Sequence, residues 1–255
     1  MYDLNGDVEI GTSPSMDAFL FYIVCDTSQS MFHFTAEHRA RQSVPSGELL
    51  QPAIREMGKA LSSNIEIKSQ GYLCIISFND EAKAVQKTCA FENLDLGRAQ
   101  LTRGTFTDYA KVWRYLGETI YADIEASRAN NKKLYRPVVF FITDGIPETK
   151  SGRQPHDEWA IEYDRAVSRL AEEFRPRIIA LGLDKANENT LKAIHSKNPR
   201  HGRALIAKNV KDVNSFIPDL IIAIRNSIAN SASGAKFDFV APPSMTDLCI
   251  SGGCS

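Results

Sequence analysis

Asp26, Ser28 and Ser30 stand at steps of two directly after the apolar run FLFYIVC, and Asp144 with Gly145 follows the run VVFFIT. Their carboxylates and hydroxyls are hard oxygen donors, and no histidine or cysteine joins them within the motif. Such a set suits Mg²⁺ or Ca²⁺ rather than zinc, and Mg²⁺ usually keeps waters in an octahedral shell. Either aspartate taken alone reads equally well as a turn or helix-capping residue. Placed together after two apolar runs, they predict a metal site.

Other chemistry has little material to work with. The histidines, at positions 33, 38, 156, 195 and 201, form no helical pair, and no zinc motif is present. Cys249 and Cys254, in CISGGCS, read as part of a Gly-rich terminal chain. There is no G-x-x-x-x-G-K-[ST], no G-x-S-x-G and no repeated unit, so nucleotide hydrolysis and acyl transfer lack visible machinery.

The elements that must position these residues are short apolar runs alternating with amphipathic stretches. Phe19 to Cys25, Tyr72 to Phe78, Val138 to Thr143, Ile178 to Leu183 and Ala204 to Ala207 are too short for helices and lack the alternation of a half-solvated strand. Burial on both faces follows, as in a parallel sheet covered by helices. Gly47 to Ser62, Asp108 to Ala129, Asp157 to Phe174, Glu188 to Ser196 and Val210 to Ala229 carry apolar residues at helical steps. In the last of these, Val213, Phe216, Ile217, Leu220, Ile224 and Ile228 make one stripe for packing on the sheet. Ala82 to Ala90, just after Phe78-Asn79-Asp80, predicts an edge strand turned back along its predecessor. The fold class expected is α/β: a doubly wound, mostly parallel central sheet with one antiparallel edge strand and helices on both faces. In such sheets, ligands gather beyond the carboxyl ends of the strands, where the two motifs lie.

DTSQSM, Asp26 to Met31, resembles the D-x-S-x-S opening of the metal-ion-dependent adhesion site of von Willebrand factor type A domains. RGTFT, Arg103 to Thr107, is similar to that family's central threonine loop, and FITDGIP, Phe141 to Pro147, to its distal aspartate loop. The resemblance runs from about Ala18 to Ala229. By composition, residues 1–17 read as an N-terminal extension and 231–255, with SASGAK, APPS and SGG pieces, as a flexible C-terminal tail, and the resemblance implies a domain over residues 18–230 between them. It also implies that Ser28, Ser30 and Thr105 place hydroxyls on the metal, while Asp26 and Asp144 act mainly through bound waters. Mg²⁺ is the expected ion, with Mn²⁺ or Ca²⁺ as alternative occupants. Thr107 is expected to serve the helix N-terminus beside Asp108 instead.

A metal bound mostly through water stays electron-poor and keeps an open position, which a Glu or Asp of a partner protein can fill. The resemblance therefore implies a protein-binding module, not an enzyme. Size and character are similar to bacterial stand-alone proteins of the TerY-like kind, a group associated with tellurite resistance, stress response and phage defence. The partner would then be a kinase, phosphatase or ATPase encoded nearby. The alternative is a Mg²⁺-dependent phosphohydrolase using the same strand-end aspartates. It needs a nucleophile and a general acid that DTSQS does not obviously supply.

Between Met31 and the first long helix lies FHFTAEHRARQSVPS, longer than an ordinary βα loop. It reads as a solvated loop or as a specificity loop beside the metal, with His33, His38, Arg39 and Arg41 as candidate partner contacts. Over 255 residues the formal net charge is −1, which gives no signature for nucleic acid or an acidic membrane. No apolar run approaches the roughly 20 residues of a membrane helix, and MYDLNGDVEI has no signal-peptide pattern. Five cysteines, some inside apolar runs, suit a reducing compartment, so a cytoplasmic location is expected.

Overall fold

The structure, a computed structural model, describes residues 17–33, 44–97, 99–183, 186–195, 202–207, 213–233, 237–243 and 245–248. Its strands are β1 (Asp17–Asp26), β2 (Gly71–Phe78), β3 (Ala82–Ala90), β4 (Lys133–Leu134), β5 (Val138–Thr143), β6 (Glu148–Thr149), β7 (Gly152–Arg153), β8 (Arg177–Leu183), β9 (Arg203–Ala207) and β10 (Met245–Asp247). The α-helices are α1 (Gln29–Phe32), α2 (Ser46–Ser62), α3 (Tyr109–Ala129), α4 (His156–Ser168), α5 (Glu188–Ile194) and α6 (Val213–Ala232). The main sheet runs β10-β9-β8-β5-β1-β2-β3, with β4 beside the start of β1. Neighbours from β9 to β2 are parallel, and β3 returns antiparallel along β2, as its turn at Asn79-Asp80 predicts.

The strands without polar alternation are buried on both faces. From β1, Phe19, Phe21, Ile23 and Cys25 enter a core shared with α2 and α6. Leu20, Tyr22 and Val24 enter the opposite core with α3, α4 and α5. There Trp113 of α3 stacks on Phe141 of β5 at 4.9 Å. Because β1 sits between β5 and β2, its last residues emerge between the ends of two long strands. Those ends are therefore rigid supports for a site.

The described part of the expected tail is not loose. Phe239 is buried 5.7 Å from the Phe140 ring, and Arg203 pairs with Asp247 while donating to the Phe239 carbonyl. Met245–Asp247 extends the sheet as β10, antiparallel to β9. The Gly, Ser and Pro content masks the anchors here, which are the alternating Phe237 and Phe239 in KFDF. Cys249 and Cys254 lie outside the described residues. The single helix expected from Asp157 to Phe174 is also divided: α4 ends at Ser168, and a 3-10 turn covers Glu172–Phe174. Between them Ala171 takes an extended conformation (φ −55°, ψ 149°), which interrupts the helical run.

Among the described residues, no helix is long and apolar enough to cross a membrane. Cys25, Cys74 and Cys89 are free thiols, and burial pushes the Cys74 thiol up to about 12. Cys74 faces the α3 side of the sheet and Cys89 the α2 side, so the β2–β3 pairing does not bring their sulfurs together. Thiol titration of freshly denatured, unreduced protein is expected to find all five cysteines free. A protected pair would contradict this.

A half-buried carboxylate, Asp123 of α3, accepts from Tyr22 Oη at 2.8 Å and Thr88 Oγ1 at 2.6 Å. Burial raises its pKa, and the two hydrogen bonds oppose the shift. The folded chain therefore holds this proton more tightly than the unfolded chain. Its contribution to stability is greatest at low pH and is lost as pH rises from the ordinary carboxylate value to the raised one. Asp123→Ala should cost about 1–3 kcal/mol by orphaning both donors. Asp123→Asn should cost less, and urea unfolding should show the variant gaining on wild type as pH rises through that window. Parallel pH profiles would contradict the assignment.

Candidate metal centre

β1 ends on Asp26, whose side chain is fully buried. Its Oδ1 accepts from the Ser28 backbone N–H at 2.9 Å, and its Oδ2 from Thr143 Oγ1, at the end of β5, at 2.6 Å. Thr143 is itself held by Gly145 N–H at 3.1 Å and Tyr109 Oη at 3.3 Å. Burial pushes the Asp26 carboxyl up from its ordinary value, while the Ser28 and Thr143 hydrogen bonds oppose the shift. Among the described residues, no Lys, Arg or His forms an ion pair with it. A buried carboxylate left without a cationic partner is costly, and a divalent ion nearby would offset that cost.

Ser28 occupies the N-cap position of α1, yet its hydroxyl does not cap the helix. Ser28 Oγ lies 3.1 Å from Ser30 Oγ, which donates to Asp144 Oδ1 at 2.8 Å. One chain of oxygens thus joins the β1 end to the β5 end. Thr105 reaches the same sheet edge through its backbone: Gly104 N–H donates to Thr27 O at 2.9 Å and Gln29 N–H to Thr105 O at 3.5 Å. Asp26, Ser28, Ser30 and Asp144 are therefore brought together directly. Thr105, exposed, is delivered by its loop.

Thr107 departs from its expected role. Asp108 caps α3 by accepting from Lys111 N–H at 3.1 Å, while Thr107 is buried and bridges to Glu148. A Cβ added at Gly145 would lie 3.1 Å from Thr107 Oγ1 and 3.2 Å from Asp26 Oδ2. Thr107 and Asp26 therefore pack against the same point of the distal aspartate loop, and Gly145 allows that approach.

Two positioning residues escaped the sequence reading. Asp80 Oδ2 accepts from Thr105 N–H at 2.6 Å and Phe106 N–H at 3.4 Å. Asn79 Nδ2 donates to Thr27 Oγ1 at 3.0 Å and Thr102 O at 2.8 Å. Both follow the apolar run of β2, as Asp26 and Asp144 follow theirs, so the strand-end rule could have found them. Arg103 adds a third tie, pairing with Glu48 at the start of α2 and lying over the Phe32 ring at 4.6 Å. Of the expected partner contacts, His33 is exposed just after α1. His38, Arg39 and Arg41 lie outside the described residues.

The donor set fits a hard divalent cation: two carboxylates and two serine hydroxyls converge, with the threonine loop beside them. Among the described residues, no group of three or more His, Cys, Asp or Glu is arranged to hold a metal, so the hydroxyls are essential to any such site.

No protein-family model matches the sequence, and no curated protein matches it. Solved structures do match its fold. Proximal thread matrix protein 1 from the mussel byssus, with a zinc-occupied MIDAS motif, is 14% identical over 84% of this chain and 49% of its own, with a TM-score of 0.55. The von Willebrand factor type A structure from Catenulispora acidiphila is 10% identical over 82% of this chain and 42% of its own, with a TM-score of 0.53. The PilB minor pilin from Streptococcus sanguinis is 11% identical over 90% of this chain and 64% of its own, with a TM-score of 0.58. The chain thus spans between 42% and 64% of these structures. Its sheet order, its helices on both faces and these neighbours give the chain the von Willebrand factor type A fold.

Proposed function

We propose that the protein is a metal-dependent protein-binding module that holds Mg²⁺ with Ser28, Ser30 and Thr105 and, through water, Asp26 and Asp144. The observation that carries this reading is the oxygen chain from Ser28 through Ser30 to Asp144, set beside a buried Asp26 that has no cationic partner among the described residues. When bound, the ion supplies an electron-poor position for a carboxylate. The chain's own residues do the rest. Thr143 and the Ser28 N–H fix Asp26, Asp80 and Asn79 hold the threonine loop, and Gly145 lets the distal loop close on the site. A Glu or Asp of a partner protein completes the set, and a partner lacking that acid is discriminated against.

The biological setting we propose is cytoplasmic, in a bacterial stress-response or phage-defence system of the TerY-like kind. A kinase, phosphatase or ATPase encoded nearby would be the partner. Size and cysteine usage, read from the sequence, are what support this setting. The hydrolase alternative is less well supported, because Asp26 is buried with both oxygens already accepting hydrogen bonds, a poor arrangement for a nucleophile.

Affinity capture from source-cell lysate tests the proposal, using wild type and Ser28→Ala in Mg²⁺ and in EDTA. A partner retained only by wild type in Mg²⁺ is expected. Equal retention in all four arms would overturn metal dependence. Mg²⁺-dependent phosphate release from an aryl phosphate, abolished by Asp26→Asn, would favour the hydrolase.

A further inference from the structure

A cleft of about 550 Å³ opens between the connection from β5 to α4 and helix α5. Pro147, Pro155 and Trp159 give it an apolar lining, while Arg153, His156 and Asn189 bring polar groups to it. Trp159 is 2% exposed, with the His156 ring edge-on at 4.7 Å. The cleft is braced from behind. Gln154 N–H donates to Pro147 O at 2.9 Å, and the Gln154 side chain binds Tyr109 N–H at 3.0 Å and Asp108 Oδ1 at 3.1 Å. No residue of this lining belongs to the metal-ligand set.

Building on the metal-dependent binding reading, we propose that this cleft is a specificity subsite for the partner segment whose acid reaches the metal. Its occupant is an apolar side chain of that segment, flanked by a second acidic residue that faces Arg153. Continuity with the metal site is the first argument. Pro147 lies three residues after Asp144, so their Cα atoms are at most about 11 Å apart. An extended segment of about four residues covers that distance. Ile146, between them in sequence, is 40% exposed and leaves apolar surface in the same stretch.

Charge is the second argument. Arg153 is exposed and takes part in none of the ion pairs among the described residues, although Glu148 stands opposite it in the β6–β7 pair. A guanidinium in none of the ion pairs among the described residues, beside an apolar cleft, suits a carboxylate that arrives with an apolar neighbour. The metal would read one acid, and the cleft would read what lies next to it.

The test uses a displayed library of nine-residue peptides with a fixed central Glu, selected on the full chain in Mg²⁺ and in EDTA. Wild type, Arg153→Glu and Asn189→Trp are compared, each checked by thermal unfolding and Mg²⁺ titration. Asn189 is exposed, so a Trp there narrows the mouth without entering the core. Wild type should enrich, only in Mg²⁺, peptides with an apolar and an acidic residue at fixed offsets from the Glu. Arg153→Glu should lose the acidic preference by tenfold or more, and Asn189→Trp the apolar one, both with unchanged Mg²⁺ response. Metal-dependent enrichment with the same sequence profile in all three proteins would overturn the cleft alone. Enrichment that persists in EDTA would overturn the metal-anchored reading, and this subsite with it.

Discussion

Ser28→Ala and Thr105→Ala should abolish partner capture while leaving the metal-free protein folded with close to wild-type stability. Each substitution removes a neutral hydroxyl at a strand end, and the apolar runs FLFYIVC and VVFFIT stay whole. The loss should appear on metal addition. With Mg²⁺ at about 100 times its dissociation constant, wild type should gain about 2.7 kcal/mol. At about 2–4 °C per kcal/mol for a chain near this size, that is a rise in Tm of roughly 5–10 °C. A variant whose affinity falls about 100-fold should gain only about 0.4 kcal/mol at the same concentration. Asp144→Ala should lose the metal response more completely, since it removes charge that offsets the cation. Asp26→Asn should separate the two effects: it removes a buried charge that no cation pairs among the described residues, but it leaves one of the two donors to Asp26 facing an amide NH2, so metal-free Tm should change little while metal binding falls. Thermal unfolding with and without Mg²⁺, beside capture of the partner, reads all four variants. Wild-type Mg²⁺ shifts in Ser28→Ala and Thr105→Ala would sink the metal-site assignment.

These expectations were mostly visible in the sequence because burial on both faces leaves a plain record. FLFYIVC, VVFFIT and IIALGL have no polar position until they end, so the first oxygens after them mark the site edge. β3 was legible for a different reason, since Asn79-Asp80 is a turn that returns the chain along β2. What escaped depends on contacts distant in sequence. β10 forms because Arg203 pairs with Asp247, 44 residues away, and because Phe239 fills a place against Phe140. Local composition, rich in Gly, Pro and Ser, points the other way. Thr107 was misread for the same kind of reason. Beside Asp108 at a helix start it looks like part of a cap, but pairing with Glu148 across the fold turns it inward toward Gly145, beside Asp26.

The second large effect should come from residues that touch no metal. Asp80→Ala should lower Mg²⁺ affinity on the order of 10- to 100-fold, as loss of an outer partner commonly does. The cause is geometric. Asp80 Oδ2 takes the N–H groups of Thr105 and Phe106, and among the described side chains it alone grips the backbone of Thr105. Released, the loop must be ordered again each time Thr105 binds, and that entropy is charged against affinity. Asp80→Asn keeps an acceptor oxygen and should recover most of the loss, which a nonspecific packing defect would not. Asn79 should behave differently. Its amide joins Thr27 Oγ1 to Thr102 O, and its Oδ1 accepts from Glu81 N–H at 3.1 Å. Asn79→Ala leaves buried partners unmatched and should cost about 2–3 kcal/mol of metal-free stability. It should also weaken metal binding, because Gly104 packs so closely on Asn79 that an added Cβ would meet its Cγ at 2.2 Å. The two neighbours thus divide the work, with Asn79 holding the loop to the fold and Asp80 aiming it. Mg²⁺ titration and urea unfolding of the three variants separate these roles. If Asp80→Ala keeps wild-type Mg²⁺ affinity, the threonine loop is aimed by something other than this carboxylate.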